Sequence, residues 1–87
     1  MDKVVRKLIE YRVEKDPETK EKIALAIFNL IKERLNGERT VKVEMRGGVC
    51  FADKVELKNP HEIVFIRDIR TAVDINDIRV VEFYADY

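Results

Sequence analysis

The chain has 87 residues, enough for one domain (1–87) whose core is modest and would gain from oligomerisation. Its 17 basic and 17 acidic side chains cancel, so the positive excess that usually accompanies nucleic-acid binding is missing. The single cysteine, Cys50, excludes an intrachain disulfide framework and a multi-cysteine zinc site.

Neither part of the chain departs from that balance. Residues 1–38 carry nine basic and eight acidic side chains, and residues 39–87 carry eight and nine. Ile, Val, Glu, Lys and Arg abound, while Ser, Gln and Trp are absent. That composition points to a source in a hot environment. No apolar run approaches a membrane span or a signal-peptide core, so the expected compartment is the cytoplasm and no membrane partner is expected.

Residues 2–15 read as an amphipathic helix, with Val4/Val5, Leu8/Ile9 and Arg12/Val13 recurring at helical spacing. Pro17 pushes the preceding residue out of the helical region and ends it. Asp16 then starts a second helix as N-cap, with Pro17 at the first position and Glu18 near the positive end of the dipole. Ile23, Ile27, Leu30, Ile31 and Leu35 make one stripe, widened by Leu25, Ala26 and Phe28. So wide an apolar surface needs two partners: the first helix and the sheet, or a second subunit. Asn36-Gly37 is a stop signal, with glycine free to turn left-handed.

From residue 38 the pattern changes to strands. Val41, Val43 and Met45 alternate with Lys42, Glu44 and Arg46, which buries one face. Val49, Phe51, Val55 and Leu57 share one parity. A three-residue loop, Arg46-Gly47-Gly48, would oppose Met45 with Val49 and Val43 with Phe51, keeping those residues on one face. Asp53 interrupts that parity and marks a bend. Residues 63–66 are apolar on both parities and read as a central strand. Residues 67–71 form a charged turn region, Val73 and Ile75 a short strand, Asn76-Asp77 a turn, and 78–83 the last strand. The fold class is therefore α+β: a helical hairpin (1–37) on a four- to five-stranded antiparallel meander (38–87).

Residues 40–84, with a glycine turn after the first strand and the short-strand, turn, short-strand ending 73–82, resemble the Sm-like and SH3-like small β-barrels. The resemblance implies a curled sheet. It does not imply RNA binding, because Asp53 is followed by Lys54-Val55-Glu56 with no matching Asn, and Arg46-Gly47 lies in the first hairpin rather than before the last strand.

Arg46, Arg67 and Arg70 lie at or near loops and are the candidate contacts for a phosphate, carboxylate or nucleic acid. His61, the only histidine, sits in a polar turn beside Glu62, and an acid–base role with Asp53 is the weakest reading. No phosphate loop, dinucleotide fingerprint, nucleophile elbow or metal-ligand spacing is present, so no catalytic residue, cofactor or metal is expected. The function expected is a non-enzymatic interaction module that binds protein or assembles with itself, as a dimer. The alternative is an Sm-like nucleic-acid binder. Basic residues gather in the middle of the meander, and Asp74, Asp77, Glu82 and Asp86 near its end. Interspersed acids predict cross-strand ion pairs rather than segregated patches.

Overall fold

The computed structural model describes residues 2–85, so Met1, Asp86 and Tyr87, including one member of the acidic end cluster, lie outside the described residues. Asp2 caps α1 (Lys3–Val13), its carboxylate accepting from the Val4 N–H at 2.8 Å. The buried face of α1 is Val4, Leu8 and Tyr11, at helical spacing. Val13, expected on that face, is 70% exposed: Tyr11 takes the position one turn beyond Leu8, and Val13 points away.

Asp16 caps α2 (Pro17–Gly37) as the sequence predicts, accepting from the Thr19 N–H at 3.0 Å and the Thr19 hydroxyl at 2.6 Å. Ala24, Ile27 and Ile31 are fully buried, with Ile23, Phe28, Leu30 and Leu35 packed at the margins of the core. Gly37 does not turn left-handed. The helix ends when Glu38 becomes extended, its N–H donating to Arg34 O at 2.7 Å and its carboxylate pairing with Arg34 at 2.9 Å.

The rest of the described chain forms six antiparallel strands in two three-stranded sheets. The first sheet has the order β2-β1-β6, from β2 (Gly48–Ala52), β1 (Thr40–Met45) and β6 (Ile78–Tyr84). The second has the order β3-β4-β5, from β3 (Lys54–Asn59), β4 (Glu62–Ile66) and β5 (Arg70–Asp74). A short 3-10 turn, Ile75–Asp77, links β5 to β6 and buries Ile75. The molecule is thus α+β, a helical hairpin on antiparallel sheet.

Asp53 is the bend that the sequence marks. β2 and β3 are two parts of one strand that leaves the first sheet and enters the second at this residue. β4 is central in its sheet, and Ile63, Val64 and Phe65 are all buried, as the double parity requires.

The β1–β2 register differs from the expected one. The loop has two residues, Arg46-Gly47, and Met45 opposes Gly48, whose φ of +151° suits glycine. Val43 then opposes Cys50, and Val41 opposes Ala52. The core side of β2 therefore carries small side chains, which let β2 approach β4 of the other sheet. Val49 and Phe51 are moved to the outer face, where Val49 is 52% exposed. β5 also begins earlier than expected, because pairing with β4 places Arg70 opposite Ile66 and shortens the turn to residues 67–69. Ile75 belongs to the 3-10 turn rather than to that strand.

The core lies between the helices and the inner faces of both sheets. α1 rests on the 3-10 turn and β6, and α2 on β3. The wide apolar surface of α2 thus meets α1 on one side and sheet on the other, while Leu25 stays 48% exposed.

Candidate functional site

The three arginines singled out by their loop positions do not come together. Arg46 is in the β1–β2 loop, where its backbone N–H donates to Asp77 O at 3.0 Å. Arg67 follows β4, and its guanidinium donates at 2.9 Å to the hydroxyl of Thr40, the buried polar residue at the start of β1. Arg46 follows the other end of β1, so the strand separates the two by roughly 17 Å. Arg70 lies on the outer face of the second sheet and pairs with Glu56. One guanidinium is thus committed to a buried hydroxyl and another to a carboxylate, and no open cationic surface joins all three.

His61 and Asp53 are likewise apart in role. Asp53 is exposed at the bend, its N–H donating to Ile66 O at 3.0 Å. His61 sits in the β3–β4 turn, held by its N–H to Asn59 Oδ1 at 2.8 Å and by its carbonyl, which accepts from the Ile75 N–H at 2.9 Å. Its Nδ1 shares a hydrogen bond of 3.0 Å with the Tyr11 hydroxyl. Tyr11 is completely buried, and the Lys20 ammonium lies 4.6 Å from its ring centroid. Burial, then the nearby Asp74 carboxylate, push the Tyr11 phenol above its ordinary range. This link ties α1 to a turn fifty residues away. Its signal in the sequence was the placement of Tyr11 three residues after Leu8, on the buried stripe.

A second hub gathers around Arg34. Its guanidinium pairs with Asp2 at 2.6 Å and Glu38 at 2.9 Å and stacks 4.0 Å from the Phe83 ring centroid. Partial burial would raise the Asp2 carboxyl, but the Val4 N–H and Arg34 outweigh it and hold that group below the usual carboxylate range. Arg34 thereby fastens the start of α1, the end of α2 and β6 together. Cys50, half-buried, has its thiol pushed up by burial, which makes it a poor nucleophile.

Outward-facing charges pair locally. On the first sheet Lys42 lies between Glu44 at 3.6 Å and Glu82 at 4.0 Å. Register places Val49 and Val80 on either side of Glu44, so two exposed valines flank this cluster. On the second sheet a depression of about 310 Å³ lies over Val64 and Ala72, rimmed by Glu56, Lys58 and Arg70. A groove of about 240 Å³ separates the end of α2, at Lys32 and Leu35, from the bend at Asp53 and Val55.

Among the described residues no cluster of three or more His, Cys, Asp or Glu side chains could hold a metal ion, and no helix is long and apolar enough to cross a membrane. No buried side-chain polar atom among them lacks a hydrogen-bond partner. The arrangement supplies shallow surfaces lined by charged and aliphatic side chains. Comparison with family models, with curated proteins and with solved structures returned no match.

Proposed function

We propose that this protein is a non-enzymatic interaction module that docks onto protein surfaces, its own included. The observation that carries the reading is the surface of the first sheet, where Lys42 is shared between two carboxylates beside the exposed Val49 and Val80. Charges neutralised in place leave little field to attract a polyanion, whereas exposed aliphatic side chains gain from being covered. A homodimer, a cytoplasmic location and a hot-environment source belong to the same reading. The last two rest on composition.

Nucleic-acid binding on an Sm-like or SH3-like frame is the second reading. It rests on the resemblance of residues 40–84, with the glycine turn after the first strand and the strand-turn-strand ending, to such barrels. Arg46 and Arg67 would then act from separate loops and Arg70 from the start of β5.

Tagged protein recovered from its source cells at low salt, with and without nuclease, separates the two. The expected result is a stoichiometric protein companion, a second copy or another chain, that survives nuclease. Nucleic acid as the sole stoichiometric companion, released at about 0.5 M salt, would overturn the first reading.

A further inference from the structure

We infer that β5 is a self-complementary edge and that two copies of the protein pair through it, antiparallel, about a two-fold axis at Ala72. The inference deepens the interaction reading and rests on it.

β5 is hydrogen-bonded to β4 on one side, and among the described residues no helix or other strand makes more than marginal contact with it. Each of the other outer strands has a neighbour beyond its own sheet: α2 lies against β3, α1 against β6, and β2 approaches β4. Edge strands are commonly blunted by proline, lysine or a bulge. β5, Arg70-Thr71-Ala72-Val73-Asp74, has neither residue, and its pairing with β4 runs without a register shift.

The direction of its backbone groups follows from one hydrogen bond. Ile75 N–H donates to His61 O, and 61/75 continues the register of 62/74, 63/73 and 64/72. Antiparallel pairs alternate between hydrogen-bonded and non-bonded. Val73 and Thr71 therefore point their backbone groups at β4. The N–H groups of Arg70, Ala72 and Asp74 point to the free side.

A second β5 laid antiparallel with Ala72 opposite the partner's Ala72 meets a hydrogen-bonding position with a hydrogen-bonding position. It also sets Arg70 opposite the partner's Asp74, and Asp74 opposite the partner's Arg70. By register these residues share the outer face with Val64, Asp74 also capping the 3-10 turn through the Asn76 N–H at 2.8 Å, and opposite charges directly across a strand pair stabilise it. The small Ala72 side chains let the two depressions over Val64 merge into one apolar strip with a charge pair at each end. Arg70, which lies against Glu56 in the single chain, would sit between two carboxylates. The product is a continuous six-stranded sheet with an isologous interface. Two five-residue strands bury less than the roughly 1,200 Å² of a stable interface, so the dimer is expected to be weak and concentration-dependent.

Sedimentation velocity and amide exchange between about 20 μM and about 1 mM, the range of weak association, test the inference on the whole chain. The expected result is a monomer–dimer equilibrium in which the Arg70, Ala72 and Asp74 amides gain protection as concentration rises. Ala72→Pro removes an N–H that β4 does not use, and should abolish association while keeping the far-ultraviolet spectrum. Arg70→Asp should weaken association at least about tenfold, and adding Asp74→Arg should restore it. This pair keeps the test in force if the proline variant does not fold. A monomer at the highest concentration, a dimer indifferent to a folded Ala72→Pro variant, or failure of a folded double variant to restore pairing would each overturn the inference. A monomer that still carries a nuclease-resistant protein companion overturns β5 pairing and leaves the interaction reading standing. Nucleic acid as the sole companion counts against that reading instead.

Discussion

The hydrogen bond between Tyr11 and His61 should cost different amounts according to which end is removed. Tyr11→Phe deletes the buried hydroxyl, keeps the ring and leaves an imidazole at an exposed turn that water can serve. Losing one net hydrogen bond then costs about 0.5–1.5 kcal/mol. His61→Ala leaves the hydroxyl of a completely buried residue without its partner, and a buried orphan costs about 1–3 kcal/mol. The Lys20 ammonium above the ring is present in both variants and cancels. Denaturant titration of wild type, both single variants and the double variant gives the ordering. At about 4–8 °C per kcal/mol for a domain of this size, the single variants should also separate in melting temperature. In the double variant no hydroxyl remains to be orphaned, so it should resemble Tyr11→Phe. If Tyr11→Phe proves the more costly substitution, the hydroxyl is hydrated in the folded protein and the reasoning fails.

Three further outcomes follow from the same geometry. Because the Tyr11 phenol is raised on folding, its contribution is whole below the unfolded value near pH 10 and is lost as pH climbs through the higher folded value, so Tyr11→Phe should flatten the alkaline limb of a stability–pH curve. The Asp2 carboxyl is lowered on folding, so its contribution is present above its unfolded value and disappears as pH falls; Asp2→Asn should reduce stability at pH 7 and bring the acid limbs of the two proteins together. Gly48→Ala should destabilise by about 1 kcal/mol or more in a melting experiment, since φ +151° is strained for any residue with a Cβ, whereas Gly47→Ala, with open space around it, should be nearly neutral.

How legible each element was depended on how local its cause is. The caps at Asp16 and Pro17, the bend at Asp53 and the central position of residues 63–66 are written in short-range chemistry and turn out as read. The β1–β2 register departs from what parity alone predicts, because parity carries a single rule: keep the large apolar side chains inside. The opposite sheet imposes a second rule at that place, and β2 meets it with Cys50 and Ala52 at the expense of exposing Val49. Val13 leaves the buried stripe for a similar reason, since Tyr11, an aromatic residue with a polar tip, takes the place there. The candidate arginines illustrate the harder limit. Sequence puts all three near loops, but only the pairing of strands decides that β1 stands between Arg46 and Arg67. The anchoring of Arg67 on Thr40 joins residues 27 apart, which no window of sequence shows.

The place of β1 in its sheet has a consequence for synthesis. It pairs on one side with β2, which follows within a few residues, and on the other with β6, so that Thr40 waits for Tyr84. A chain emerging from the ribosome can form the first hairpin early, yet one margin of β1 stays bare until β6 (Ile78–Tyr84) has been made. The entropy of closing that long loop grows only slowly with its length, so the delay is a matter of time more than of free energy. During it, Val41 and Val43 stand at an open margin beside a helical hairpin already able to form. Chains halted before residue 78 should therefore be more prone to aggregate than chains that extend through β6, and a chaperone that shields hydrophobic strands would act mainly within that interval.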